Sequence, residues 1–124
     1  MKKEYDPSVK EGIERVMSVF SDYIKTTPYF DIVWSDKVGY IYISIENCRG
    51  TVGDMDCIVL DDPEELLDKL LNEMAVDIME EGGHTLSPVE ASALERAEVE
   101  RRLNVYLDQL PVYRERLKLV FDHK

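Results

Sequence analysis

Val9, Ile13, Val16, Met17, Phe20 and Ile24 recur at intervals of three and four residues, which lays one apolar stripe down a helix. Asp6 stands where a side chain can accept the free amides of a helix start, and Pro7 suits the first helical position. Gly12 weakens this helix slightly. Thr26-Thr27-Pro28 ends it, because a proline disfavours helical geometry in the residue before it.

The period then changes to two. Phe30, Ile32 and Trp34 fall on one side of a first strand, and Ile41, Ile43 and Ile45 on one side of a second that runs from Val38 to Glu46. Ser35-Asp36-Lys37 is a turn signal. A two-residue turn at Asp36-Lys37 pairs Ile32 with Ile41 and Phe30 with Ile43, and sets Gly39 opposite Trp34. Asn47 to Asp56, with Gly50 and Gly53, reads as a loop or an irregular hairpin end. Cys57-Ile58-Val59-Leu60 is a third, short strand. Pairing about Val52-Gly53 sets Leu60 opposite Ile45 and Cys57 opposite Cys48.

Helical spacing returns with Leu66, Leu67, Leu70, Leu71, Met74 and Ile78, the strongest stripe in the chain. Asp61-Asp62-Pro63 supplies a cap and a proline start, and Gly82-Gly83 a stop. Asp61, Asp62, Glu64 and Glu65 crowd the first turn, where the helix dipole favours negative charge. Ser87-Pro88-Val89-Glu90 carries the serine-to-glutamate spacing of a capping box and opens a third helix. Its stripe is Leu94, Ala97, Leu103, Tyr106, Leu107 and Leu110, until Pro111 interrupts it. Tyr113, Leu117, Val120 and Phe121 form a last short stripe.

The expected fold is α+β, one domain over residues 1–124. A three-stranded antiparallel meander packs with an N-terminal helix, a central helix and C-terminal helices, in the order α-β-β-β-α-α-α. The Ile41, Ile43 and Ile45 face is assigned to the core. The opposite face, with Val33, Tyr40, Tyr42, Cys57 and Val59, is too apolar to stay wet, so the C-terminal helices or another chain should cover it.

Charge narrows the partners. The formal net charge is −11, and residues 46–81 hold twelve acids against two bases. Residues 1–45 and 82–124 are close to balance. A field of this sign repels phosphate, so nucleic acid and anionic membrane surfaces are not the expected partners. Basic proteins and cations are compatible with it. The arginines of the last helices (Arg96, Arg101, Arg102, Arg114, Arg116) are interleaved with acids, and pairs such as Glu98 with Arg102 support an exposed helix. No apolar run is long enough to span a bilayer and no signal peptide is evident. Two cysteines without secretory context point to reduced thiols and the cytoplasm.

Candidate chemistry is sparse. Glu80 and His84 have the spacing of two metal ligands on a helix face, but Gly82-Gly83 intervenes and no further ligand follows. Cys48 and Cys57 lack the close spacing of a redox pair and read as packing residues. Asp54, Asp56, Asp61 and Asp62 cluster oxygens without the spacing of a calcium loop. Asn47 to Gly53 lacks the lysine and glycine spacing of a phosphate loop. No cofactor is implied. The α-β-β-β-α layout resembles that of double-stranded-RNA-binding domains, yet Asp61, Asp62, Glu64 and Glu65 stand where those domains carry basic residues. Small acidic secretion chaperones also open with a helix and three strands, but no later strands follow residue 81 here.

The expectation is therefore a non-catalytic interaction or accessory protein that binds a protein partner or a second copy of itself. Its candidate surface is Val33, Tyr40, Tyr42 and Val59 with Asp61, Asp62, Glu64 and Glu65. The alternative is a small enzyme or ligand-binding protein with a site near Cys48, Asp54, Asp56 and His84. A further alternative is an acidic mimic of nucleic acid.

Overall fold

The Asp6 carboxylate accepts the Ser8 amide at 2.9 Å and Pro7 takes the first helical position, so α1 (Pro7–Val19) begins where its cap signal stands. The backbone leaves helical geometry at Phe20 (φ −99°, ψ 17°) and resumes as α2 (Ser21–Thr26), so the single helix read from the stripe is two pieces. The computed structural model describes residues 6–45, 55–83 and 87–122. It is α+β, in the expected order, and its chain forms two compact units, Met1–Leu66 and Leu67–Lys124.

In the first unit, β1 (Phe30–Ser35), β2 (Gly39–Ile45) and β3 (Met55–Val59) form an antiparallel sheet in the order β1-β2-β3. The register differs from the expected one. Ile32 lies opposite Tyr42, Val33 opposite Ile41 and Trp34 opposite Tyr40. The hairpin turns through three residues, Asp36 to Val38, and Gly39 takes a positive φ of 94° that a side chain would resist. Trp34 Nε1 donates to Asp36 Oδ1 at 2.8 Å and the Lys37 amide donates to Ser35 Oγ at 3.2 Å, which ties the turn to the end of β1. Cys57 lies opposite Ile43, not Cys48, and the Leu60 amide donates to the Tyr40 carbonyl.

Both corrections shift by an odd number of residues, and an odd shift turns a strand over. Relative to β1 and β3, β2 is flipped. Phe30, Ile32 and Leu60 are buried as expected, but Tyr40 and Tyr42 share their face, at 9% and 5% exposure. Ile41, Ile43 and Ile45 point the other way and are only half-buried. The buried face of the sheet meets the aromatic and helical residues of the same unit. Phe30 stacks on Tyr42 at 4.8 Å and meets Tyr23 of α2 at 5.9 Å, Trp34 meets Tyr40 edge-on at 4.8 Å, and the Tyr40 hydroxyl donates to Glu14 Oε2 of α1 at 2.6 Å. Lys10 of α1 sits 4.8 Å above the Trp34 ring. Ile13, Val16 and Phe20 are fully buried.

Helix α3 (Pro63–Glu81) starts on Asp62, whose carboxylate accepts the Glu65 amide at 2.7 Å, while Glu65 reaches back to the Asp61 amide at 3.1 Å. Its first turn closes the first unit. Gly12 of α1 lies so near Pro63 that a methyl group there would run into the proline ring.

The second unit holds the rest of α3, then α4 (Ala93–Leu107) and α5 (Arg116–Asp122), with 3-10 turns at Pro88–Glu90 and Pro111–Tyr113. Gly83, at φ 88°, ends α3. The cap at Ser87 closes only the first 3-10 turn. The capping box that starts α4 is Ser92 with Glu95, at 3.2 and 2.9 Å. Two such signals stand five residues apart, and the first turn is held against α5 instead of being extended. The buried stripe of α4 is accordingly Val99, Leu103 and Leu107, while Leu94 is 85% exposed. Leu117, Val120 and Phe121 are buried as expected, and Arg116 grips Asp68 with two hydrogen bonds, joining α5 to α3.

Replacing Gly12 with alanine is expected to destabilise the protein by about 1 kcal/mol, since overpacking costs more than helix propensity returns. In a Pro63→Ala background the same change is expected to stabilise it by about 0.5–1 kcal/mol. Denaturant unfolding of the four-member cycle measures both. The two faces of β2 are separated by one substitution type. Tyr42→Lys should cost about 3–5 kcal/mol, because it leaves a buried charge without a partner. Ile43→Lys should cost about 1 kcal/mol or less, since lysine can lay its stem along the sheet and reach water beside Asp31.

Candidate interaction surface

Odd-numbered residues of all three strands share the face turned away from Tyr40 and Tyr42. Its central row is Asp31, Ile43 and Cys57, and the row beside it is Val33, Ile41 and Val59. The Ile45 amide donates to the Tyr29 carbonyl at 2.8 Å, which continues the ladder and starts a third row with Tyr29 beside Ile45. Tyr29 is 47% exposed and Val33 37%, while Ile41, Ile43, Ile45 and Val59 are half-buried. Asp31 and Cys57 are exposed. Asp31 Oδ1 accepts the Ile32 amide of its own strand at 2.8 Å. The face is thus an apolar sheet surface with a carboxylate at its edge.

This arrangement divides the surface expected from the sequence. Val33 and Val59 lie on the odd-numbered face; Tyr40 and Tyr42 are buried on the other side. Asp61, Glu64 and Glu65 belong to the start of α3 with Asp62, and Asp62 and Glu65 are engaged in capping it. Ile41, Ile43 and Ile45, which the sequence assigned to the core, complete this face together with Tyr29. The available signal was chemical: buried tyrosine hydroxyls need hydrogen-bond partners, and α1 carries Glu14 within reach of one.

Of the alternative site, Cys48, Asp54 and His84 lie outside the described residues. Asp56 is placed in β3 opposite Ser44. Among the described residues no three ligand-type side chains converge on one point. The second unit carries a cleft of about 500 Å³ whose described lining includes Asp68, Asn72, Ser87, Arg116, Val89 and Leu119, and there Asp68 and Arg116 are locked on each other.

The arginines of α4, of α5 and of the turn before α5 are also engaged. Glu98 pairs directly with Arg101 at 2.5 Å, while Arg102, which acts on Glu98 through its charge, reaches Glu81 at 2.5 Å. Arg114 binds Asp108 at 2.5 Å, and Arg96 binds Glu100 at 2.8 Å while lying 4.8 Å from the Phe121 ring. Hydrogen bonding and charge from Arg102 hold the Glu81 carboxyl below its ordinary 4.5, and Arg101 does the same for Glu98. No helix among the described residues is long and apolar enough to cross a membrane. Comparison with family models, with curated proteins and with solved structures finds no match.

A carboxyl whose folded pKa is depressed stabilises the fold above its unfolded pKa and loses that contribution as pH falls through the folded value. The stability difference between the protein and Glu81→Gln is therefore expected at neutral pH and low salt. It should shrink as pH drops below 4.5 and vanish once Glu81 is protonated. It should be small, since the pair is exposed. Thermal unfolding of both proteins across this range measures it.

Proposed function

We propose that this chain is a non-catalytic interaction or accessory protein, and that it binds a partner protein through the odd-numbered face of its sheet. One observation carries the reading. Tyr29, Val33, Ile41, Ile43, Ile45 and Val59 gather accessible apolar surface on one side of a sheet whose other side holds the buried tyrosines. A contiguous accessible apolar patch on a folded protein commonly marks a binding surface. Its flatness suits a macromolecule better than a small metabolite, which favours concave sites. The net charge of −11 favours proteins over nucleic acids as partners.

The test compares the protein with Ile43→Lys, a substitution expected to leave the fold intact. Each is immobilised and exposed to extract of the source cells at physiological salt. A protein retained in stoichiometric amount by the first and lost from the second is the expected result. Identical retention by both, with matching circular dichroism, would remove this face from the function.

A further inference from the structure

We infer that the occupant of the open sheet face is a basic amphipathic helix of a partner protein. The inference rests on the reading above and names the chemistry of the partner. Three features of the face lead to it.

The first is size. Adjacent strands lie about 4.8 Å apart, so β1 and β3 are separated by about 10 Å, close to the diameter of one α-helix. Successive rows along a strand are about 6.8 Å apart, so the three rows span about 14 Å, or two to three helical turns. A single helix placing apolar residues at i, i+3, i+4 and i+7 on these rows covers the isoleucines. A strand added to the edge of β1 or β3 would extend the sheet and leave its face open.

The second is the position of Asp31. It is exposed, it stands on an edge strand, and it begins the central row of an otherwise apolar patch. A lysine or arginine flanking the apolar stripe of a docked helix would meet it. An acidic or neutral helix would leave the carboxylate partly desolvated without a counter-charge, which costs binding energy.

The third is the surrounding field. The unit that carries the face, Met1–Leu66, holds fourteen acidic and seven basic residues. A second copy would bring a further −11 and set its own Asp31 against the same apolar rows. Charge therefore selects against self-association and in favour of a cationic partner, whose encounter it accelerates at low salt.

The experiment uses the full chain as Cys48→Ser, which leaves Cys57 as its single thiol on the face. The probes are three synthetic 16-residue helical peptides. The first has a leucine stripe flanked by lysines, the second has the same stripe flanked by glutamates, and the third scrambles the first. Binding is read by fluorescence anisotropy at low and high salt, and by the rate at which a thiol reagent labels Cys57. Sedimentation gives the mass of the protein alone. The lysine peptide should bind at least about tenfold more tightly than either control, weaken with salt and slow labelling of Cys57. Asp31→Lys should reduce its affinity about tenfold, and Val33→Ser should weaken both helical peptides without changing their order.

Equal affinity for the lysine and glutamate peptides, with Cys57 protected by both, would overturn the basic partner and leave the apolar face standing as a binding surface. Equal affinity for the scrambled peptide would overturn the helix. A dimer of the protein alone that Ile43→Lys dissociates would replace the cationic partner with a second copy. Unchanged labelling of Cys57 with every peptide, together with unchanged retention of partners by Ile43→Lys, would sink the reading beneath this inference as well.

Discussion

The hydrogen bond from the Tyr40 hydroxyl to Glu14 of α1 accompanies the choice on which the first unit depends, the side to which β2 turns. Transfer from water alone does not make that choice. Burying an isoleucine yields about 1.5–3 kcal/mol, so three isoleucines offer at least as much as two tyrosines. The tyrosines add specific partners. Each aromatic pair contributes about 0.5–1.5 kcal/mol beyond area, and a satisfied hydroxyl about as much again. Phe30 on β1 stacks on Tyr42, and Trp34 meets Tyr40, only with β2 in the observed register.

With β2 so placed, the isoleucines fall on the opposite face of the sheet and are half-buried. The turn that sets the register needs Gly39 at positive φ and is pinned by Trp34 and Asp36. The same aromatic layer places Trp34 beneath Lys10, and the closeness of α1 to the start of α3 needs Gly12 against Pro63. Residues that look minor in the sequence, two glycines and a turn aspartate, thus hold the elements that set the orientation of β2.

The acidic residues serve different purposes. Asp6, Asp62, Glu65 and Glu95 are engaged at helix starts, where each satisfies an amide that the helix leaves free. Glu81, Glu98, Glu100, Asp68 and Asp108 pair with arginines of α4, α5 and the turns between them. The second unit therefore pairs much of its charge within itself, at its surface. Asp31 on the sheet face has neither role, and it is the acid that the proposed partner would meet.

Local signals in the sequence determined the helix starts at Asp6 and Asp62, the stop at Gly82-Gly83, the leucine stripe of α3, the stripe of α5 and the order α-β-β-β-α-α-α. Each depends on residues within one or two turns, so periodicity and caps suffice to read them. The sequence also identified one apolar sheet face too many, with Val33 and Val59 on it. Tertiary structure decided which face that was. β2 is apolar on both sides, and a one-residue slip exchanges them, so its orientation follows from partners outside the strand: Phe30 and Trp34 across the hairpin and Glu14 of α1. It likewise chose Ser92 over Ser87 as the cap of α4, because both carry the same local motif and only packing of the earlier turn against α5 tells them apart. What a short segment can state about itself was legible; a choice between two equally good local solutions was not, because its energy lies in contacts that the sequence does not display.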